Sequence, residues 1–211
     1  MRIGVFSDIH GNLPAFELAI KDCGRVDGYV ILGDVVNYGP WSNECVQLIE
    51  TLPNCTKILG NHEEFFINGE CLRTGPLTRL FFDYAYHNFT ETDVIKKYEK
   101  EALCKGFTCK HTLDDRYIFG DTQVELDASF FIGHSHRQFE IRSNEYRLYN
   151  PGSVGQNREF INQIDYLCFD SVDNNVEFRS LTYDVDLVIS EMKKLSYPEG
   201  CVAYYANKPR K

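Results

Sequence analysis

Histidine, aspartate and asparagine residues recur in this sequence in short fragments whose spacing suits metal binding. Five of the six histidines belong to these fragments, which are Asp8-Ile9-His10, Gly33-Asp34, Gly60-Asn61-His62, Lys110-His111 and Gly133-His134-Ser135-His136. In an extended chain, residues two apart point to the same side, so the Asp8 and His10 pair and the His134 and His136 pair each present two donors together. These oxygen and nitrogen donors suit Mn, Fe, Zn or Ni better than Ca or Mg.

There are more candidate ligands than a single metal ion needs, because some coordination positions of the ion must stay open for water and substrate. The candidates are Asp8, His10, Asp34, Asn61, His111, His134 and His136. Two ions that share a bridging carboxylate fit this number. Two ions about 3.5–4 Å apart are a known arrangement for in-line displacement at phosphorus.

The elements that must position these fragments are predicted strands that end just before them. Apolar runs predict strands over residues 2–6, 28–32 and 55–59, and periodic apolar residues predict helices over 13–23 and 41–51. Alternation of strands and helices implies a parallel sheet with right-handed crossovers. Ligands bind at the carboxyl ends of the strands in such a sheet, so the fragments are expected to converge on one edge.

The rest of the chain predicts an α/β fold in one domain, 1–211, without a linker or repeat. Residues 63–105 are helical and aromatic-rich, with no strong strand, and suggest a cap over one end of the sheet. Later strands are predicted over 106–111, 128–133, 137–142, 145–149, 164–169 and 175–182, the last four as antiparallel hairpins, before a final helix over 185–195.

Composition argues against several functional classes. The 211 residues carry 22 basic and 31 acidic side chains, a net charge of −9, which disfavours binding to long nucleic acid or an anionic membrane. There is no signal-peptide pattern, and no apolar run approaches the ~18 residues of a membrane span. The eight cysteines form no C-x-x-C pair and are interpreted as buried thiols of a cytoplasmic protein, with disulfides or Cys-bound metal as the alternatives.

The order of the fragments, D-x-H, G-D, G-N-H-E, H and G-H-x-H, resembles that of the calcineurin-like metallophosphoesterases. The run from Asn150 to Gln156 is similar to the small bacterial and archaeal members of that superfamily. The motifs extend from Asp8 to about Arg158, some three-quarters of the chain. The resemblance implies a four-layer α/β/β/α sandwich of two mixed β-sheets flanked by helices.

The resemblance also implies a role for each motif residue. Asp8, His10 and His136 would hold one metal ion, and Asn61, His111 and His134 the second. Asp34 would bridge the two ions, with a hydroxide as the other bridge and the attacking group. His62 would not be a ligand but would stabilise the phosphoryl oxygens and protonate the leaving group. One departure is Thr112, where the family usually has a glycine after the ligand corresponding to His111; a glycine there would permit positive φ or close backbone approach.

For several residues outside the ligand set, the sequence allows both a functional and a structural interpretation. Arg158 suits a substrate phosphate, although a solvated surface group is favoured because most arginines are of that kind. Tyr38 could offer a stacking platform for a base or sugar, or belong to the core. The Asn150–Gly155 loop has a structural role or contacts ligand. Arg73 and Arg79 could reach an anionic group, although facing solvent is favoured. His87 belongs to no motif. An aromatic cluster either packs internally, which is favoured, or forms a homodimer surface; its members are residues 65, 66, 81, 82, 84 and 86.

The function predicted from these observations is a dimetal phosphoesterase that hydrolyses a small phosphodiester, phosphomonoester or nucleotide. Its cofactors would be two divalent or mixed-valence transition-metal ions. Hydrolysis of dinucleoside polyphosphates is an alternative within the same chemistry. A non-catalytic protein-binding scaffold is the alternative of another class, but such members typically lose motif residues, and here the ligands and His62 are all present.

Overall fold

The computed structural model describes residues 1–71 and 75–211, and in these ranges the chain forms ten strands and seven helices. The strands are β1 (Arg2–Phe6), β2 (Gly28–Ile31), β3 (Cys55–Lys57), β4 (Glu101–Cys104), β5 (Phe107–Lys110), β6 (Ser129–Phe131), β7 (Gln138–Ser143), β8 (Tyr146–Pro151), β9 (Gln163–Asp170) and β10 (Asn175–Thr182). The helices are α1 (Leu13–Cys23), α2 (Ser42–Thr51), α3 (Asn61–Asn68), α4 (Pro76–Tyr86), α5 (Thr92–Ile95), α6 (Asp186–Lys194) and α7 (Glu199–Asn207).

The described strands form two mixed five-stranded sheets. The first sheet has the order β10-β9-β1-β2-β3, in which β1, β2 and β3 are parallel and β9 runs antiparallel to both of its neighbours, β1 and β10. The second has the order β4-β5-β6-β8-β7, with β5, β6 and β8 parallel. The predicted α/β fold of two mixed sheets is thus confirmed, and the predicted strands end within two residues of the observed ones.

The two sheets face each other through the alternate residues of their strands. In β1, Ile3 and Val5 point toward the second sheet, where they join a buried cluster that includes Phe131 and Phe169. Phe6 points to the opposite side and packs with the helices. This alternation follows from the two-residue period of a strand. Because both faces of β1 and β2 are covered, these strands consist of continuous apolar runs, and their carboxyl ends are fixed rigidly in the core.

The outer face of the second sheet packs against the irregular segment 112–127. Ile118 and Leu126 of this segment are buried against Phe130, Ile132 and Leu148 of the sheet. This packing holds an otherwise irregular stretch of chain beside the carboxyl ends of β5 and β6.

Two elements differ from the sequence-based expectation. Residues 63–105 contain α3, α4 and α5 as expected, but the stretch ends in β4, which pairs antiparallel with β5. Four residues at a sheet edge are too few to show a period. The second is α7, which follows Pro198 and buries Cys201 and Tyr205. Its apolar residues are small or aromatic and mark no single face, so the helical period is weak.

No helix within the described part of the chain is long and apolar enough to cross a membrane.

Candidate metal centre and active-site pocket

The predicted ligands all lie just beyond the carboxyl ends of parallel strands. Asp8 and His10 follow β1, Asp34 follows β2, and Asn61 opens α3 after β3. From the second sheet, the ligands are His111 after β5, with His134 and His136 after β6. The two sheets therefore contribute to one edge, where five of these side chains are buried, namely Asp8, His10, Asp34, His111 and His136.

One group of donors consists of Asp8, His10, Asp34 and His136, whose candidate ligand atoms all lie within 4.8 Å of one another. His136 Nε2 lies 3.2 Å from His10 Nε2 and 3.2 Å from Asp8 Oδ1. His10 Nε2 lies 4.0 Å from Asp34 Oδ2. These distances match the space that one metal ion with four ligands would fill.

A second group consists of Asp34, His111 and His134. His111 Nε2 lies 3.2 Å from Asp34 Oδ2 and 3.1 Å from His134 Nδ1. It also lies 3.2 Å from Asn61 Oδ1, which places the asparagine with this group. Asp34 thus belongs to both groups. Its Oδ1 accepts the backbone N–H of His62 at 2.9 Å, and its Oδ2 faces the histidines of the two groups.

Backbone carbonyls fix the proton positions of three histidines. His136 Nδ1 donates to the Gln156 carbonyl at 2.6 Å, and His111 Nδ1 donates to the Leu32 carbonyl at 2.6 Å. His10 Nδ1 donates to the Val36 carbonyl at 3.2 Å. With this proton on Nδ1, the Nε2 of a neutral ring directs a lone pair into the site, as metal-ligating histidines commonly do. His111 Nε2, which faces the oxygens of Asp34 and Asn61, does so once it has lost its own proton.

The first group therefore contains electron pairs that face one another without a proton between them. His10 Nε2 and His136 Nε2 are both acceptors, and Asp8 Oδ1 is buried with no hydrogen-bond partner among the described residues. Buried, unpaired acceptors are costly, and a cation between them removes that cost. The residues present thus fit two metal ions of the transition series, for which imidazole and carboxylate are suitable ligands.

The backbone of these ligands adopts a conformation that L-residues rarely take. The φ angles are 53° at Asp8, 50° at His10, 53° at Asp34, 69° at His134 and 56° at His136. Left-handed conformations at residues other than glycine are unfavourable and cluster at functional sites. Thr112 is not among the residues with positive φ; its hydroxyl donates to the Arg116 carbonyl at 2.5 Å. The substitution of Thr for the family's glycine therefore leaves His111 within the second group.

The loop from Asn150 to Gln156 supports the first group of ligands. Ser153 Oγ donates to the Asp8 carbonyl at 2.8 Å, and the Gln156 carbonyl accepts His136 Nδ1. A Cβ on Gly155 would lie 1.8 Å from the Ile9 carbonyl oxygen, so only glycine fits against this backbone. The contacts observed in this loop are those of a structural support.

Glu63 is a site residue whose role the sequence analysis did not predict. Its side chain is fully buried, and its two oxygens accept four backbone N–H groups. These belong to Asp34 at 2.8 Å, Val35 at 2.8 Å, Val36 at 3.1 Å and Gly60 at 2.8 Å. The glutamate of the G-N-H-E fragment was the available signal. One carboxylate thus ties the loop that carries Asp34 to the loop that carries Asn61 and His62.

His62 lies beside both groups. Its Nδ1 accepts a hydrogen bond from Asn37 Nδ2 at 3.0 Å, so the ring proton resides on Nε2. Nε2 lies 3.9 Å from Asp34 Oδ2. Burial lowers the pKa of His62, and the ring is therefore neutral near pH 7. A neutral imidazole with its proton on the site-facing nitrogen can donate a hydrogen bond to a bound oxygen.

A pocket of about 180 Å³ opens over the two groups. It is lined by Asp34, Tyr38, Asn61, His62, Gly75, Thr78, Tyr117, His134, His136 and Arg158. Tyr38 and Arg158 thus lie at the site. Tyr117 was not a candidate in the sequence analysis, because the segment around it has no period or motif.

The other residues singled out from the sequence that the structure describes lie outside this pocket. Arg79 lies on α4 and its guanidinium donates to the Cys71 carbonyl at 3.4 Å. Arg73 falls outside the described residues. In the aromatic cluster, Phe66, Phe81 and Phe82 are buried, which identifies internal packing there. His87 is exposed.

Charges in the site shift the pKa values of the ligands in opposite directions. Burial lowers the pKa of His10 well below its usual value and that of His134 to about 4. Burial also acts to lower the pKa of His111, but the Asp34 carboxylate outweighs it and raises this pKa to about 10. The pKa of Asp34 is held well below its usual value, because the surrounding imidazoles outweigh the effect of burial.

Metal-stripped protein is expected to release a proton when Mn²⁺ binds. With a pKa of about 10, His111 is protonated near neutral pH and must lose a proton before Nε2 can bind a cation. Apparent metal affinity should therefore rise with pH, by up to about tenfold per unit for each proton displaced, until pH approaches the pKa. Calorimetric titration at several pH values, in two buffers with different protonation enthalpies, measures both quantities. An affinity that is constant over this range would contradict the expectation.

Comparison with known proteins agrees with this geometry. The model of the calcineurin-like phosphoesterase family matches residues 1–190. An uncharacterized protein of Methanocaldococcus jannaschii is 30% identical over 229 aligned positions, which cover 93% of this chain and 94% of that protein. The structure of a metallophosphoesterase from Sphaerobacter thermophilus superposes with a TM-score of 0.81 at 25% identity, covering 98% of both chains. A hypothetical protein from Pyrococcus horikoshii shares the fold, with a TM-score of 0.80 at 16% identity and 97% of both chains covered.

The family match spans every predicted ligand and His62, and the fold and the buried Asp/His cluster agree with it. The resemblance seen in the motifs is therefore confirmed, and the chain belongs to the calcineurin-like phosphoesterase family.

Proposed function

We propose that this protein is a dimetal phosphoesterase that hydrolyses a small phosphodiester or phosphomonoester by direct attack of water at phosphorus. The observation that carries the proposal is Asp34, whose Oδ2 lies 4.0 Å from His10 Nε2 in one donor group and 3.2 Å from His111 Nε2 in the other. A carboxylate in this position can bridge two ions. The neutral His62 beside it supplies a hydrogen-bond donor in the same pocket.

The proposed ligands follow from the two groups. Asp8, His10 and His136 would hold one ion, Asn61, His111 and His134 would hold the other, and the Asp34 carboxylate would be shared by both. When bound, two such cations lower the pKa of a coordinated water and neutralise the charge of the phosphate. Mn, Fe, Zn and Ni all accept this donor set.

The protein's own residues supply orientation and hydrogen-bond donors. A water oxygen forms a bond to phosphorus while the bond to the leaving oxygen breaks, and the proton that the water loses ends on the leaving oxygen, which departs as an alcohol. The Nε2–H of His62 donates a hydrogen bond to that oxygen and stabilises the negative charge that develops on it. Asn37 keeps the His62 proton on Nε2 by donating to Nδ1. The Arg158 guanidinium lines the pocket, where it can pair with a phosphoryl oxygen.

The proposal is tested by hydrolysis of a chromogenic phosphodiester, bis(p-nitrophenyl) phosphate, by metal-stripped protein reloaded with Mn²⁺. We expect turnover that depends on the metal. His62→Ala should lower kcat by roughly 10²–10³-fold, the usual loss when one preorganised hydrogen-bond donor to a developing charge is removed, with two ions still bound.

His87→Ala is the matched control, because His87 is an exposed histidine outside the site. It should retain wild-type turnover. Two bound ions without turnover of any phosphoester, or full activity in His62→Ala, would contradict the proposed mechanism.

A further inference from the structure

The pocket over the metal centre is too small to enclose a large organic ester. Its volume of about 180 Å³ is below the ~300–1,000 Å³ of pockets that enclose drug-sized ligands. Ions and a phosphoryl group would occupy most of this space. The organic part of a larger substrate must therefore extend over the rim, and the residues of the rim would decide which organic groups bind well.

Two exposed aromatic side chains are here called the aromatic ledge: Tyr117, which is part of this rim, and Phe119, which lies next to Tyr117. Tyr117 lines the pocket and stacks on His134, with ring centroids 4.2 Å apart and planes 27° apart. Phe119 lies further from the centre, 6.3 Å from Tyr117 and with its ring plane only 9° away. Tyr117 is 54% exposed and Phe119 is 41% exposed, so both offer apolar surface to solvent beside a polar site.

The backbone holds the aromatic ledge in place. Residues 117–119 alternate, with the side chain of Ile118 almost fully buried between its two exposed neighbours. The N–H of Phe119 donates to Thr122 Oγ1 at 2.9 Å, and the N–H of Thr122 donates to the Phe119 carbonyl at 3.0 Å. Because these aromatic side chains are anchored before substrate binds, stacking on them costs little ordering.

Tyr38, the stacking candidate from the sequence, is already covered by protein rings. It packs against His10 at 4.9 Å, His62 at 5.3 Å and Phe81 at 4.9 Å between ring centroids. Its hydroxyl is hydrogen-bonded to Thr78 Oγ1 at 2.8 Å. Tyr38 is therefore a wall of the pocket, and the open aromatic surface at this site belongs to the aromatic ledge.

We infer that the aromatic ledge of Tyr117 and Phe119 selects phosphoesters that carry a planar aromatic group, because that group stacks on the ledge at the mouth of the pocket. The substrate class is then the phosphoesters of nucleosides. This inference rests on the proposed function. Stacking of a base on an aromatic side chain is tolerant of base identity, since every base has a π-face. The aromatic ledge thus favours nucleotides over aliphatic phosphates without selecting one base.

The test compares adenosine 5′-monophosphate with ribose 5-phosphate, which differ by the base alone, in calorimetric binding to Mn²⁺-loaded protein. We expect wild type to bind the nucleotide roughly five- to thirtyfold more tightly, as one stacked base contributes. Phe119→Ala and Tyr117→Ala should bring this ratio close to one, while Tyr117→Phe should retain it.

Phe178→Ala is the matched control, because Phe178 is a phenylalanine of similar exposure, 38%, on β10. It should leave the ratio at the wild-type value. A wild-type ratio near one, or a ratio that survives both alanine variants, would overturn the role of the aromatic ledge. Hydrolysis of bis(p-nitrophenyl) phosphate is measured in parallel. If the wild-type protein does not hydrolyse this diester, the proposed function is refuted. The ratio of the two binding affinities tests the aromatic ledge separately.

Discussion

Asp34→Asn is expected to abolish the paired metal centre and to leave at most one ion per chain. Turnover should fall by at least about 10³-fold, which is the scale expected when a preorganised charge at the reacting group is lost. Asp34 Oδ2 lies 3.2 Å from His111 Nε2 and 4.0 Å from His10 Nε2, so this oxygen serves both donor groups. An asparagine amide has one neutral acceptor and directs an NH₂ group elsewhere, so it cannot share a charged oxygen between two cations. Elemental analysis of the purified protein gives the stoichiometry, and steady-state kinetics gives kcat.

Asp93→Asn is the control for this change. Asp93 is also an aspartate but its side chain is 93% exposed and pairs only with Lys96 among the described residues. This variant should bind two ions and turn over substrate as wild type does. Thermal melting of Asp34→Asn must show a cooperative transition, so that loss of metal is separated from loss of fold. Two tightly bound ions in a folded Asp34→Asn protein would refute the bridging role.

Glu63→Gln is expected to destabilise the protein by about 2–6 kcal/mol, because two of four buried N–H groups lose their acceptor at about 1–3 kcal/mol each. The glutamate oxygens accept N–H groups from Asp34 and Gly60 on one side, and from Val35 and Val36 on the other. A glutamine retains one acceptor oxygen and places an NH₂ donor against the other pair of donors. Since domains are stable by only about 5–15 kcal/mol, a loss of this size is severe. Urea unfolding of the metal-stripped protein measures the free energy directly.

Glu64→Gln is the neighbouring control. Glu64 is 47% exposed and forms a surface ion pair with Lys100 at 3.6 Å. Removing such a pair should change the free energy of unfolding by less than about 1 kcal/mol. If Glu63→Gln unfolds at the same urea concentration as Glu64→Gln, the carboxylate is not what joins the two loops. Metal affinity should fall in Glu63→Gln as well, because Asp34 and Asn61 are carried by those loops.

The convergence of the candidate ligands on one edge could be predicted because these residues belong to short-range motifs at strand ends. Asp8 with His10, and His134 with His136, are recognisable from residue types and spacing alone, and the parallel order of β1, β2 and β3 follows from alternating apolar runs. The role of Glu63 could not be predicted in this way, since its four partners are backbone groups whose positions depend on the folded loops. Tyr117 was missed for a similar reason. Its segment follows no helical or strand period, and only the burial of Ile118 turns its neighbours outward.

Packing also explains the two missed elements. β4 is defined by pairing with β5 rather than by its own pattern, which is too short to be read. The α7 sequence has aromatic residues on several sides because it packs between neighbours. Tyr205 is fully buried and Tyr204 is only half-buried. Tertiary contacts, rather than local propensity, stabilise such elements.

The position of α7 allows the shape of the pocket to change over evolutionary time independently of the residues that would bind metal. Tyr204 of α7 lies 5.8 Å from Phe81 of α4 and 6.2 Å from Tyr38, measured between ring centroids, and Tyr38 forms a wall of the pocket. The loops that carry the candidate ligands follow strands β1, β2, β3, β5 and β6 and are separate from α4 and α7. Substitutions in α4 and α7 can therefore reshape the pocket while the ligand loops stay intact. A lineage can acquire new substrates in this way and inherit its chemistry unchanged.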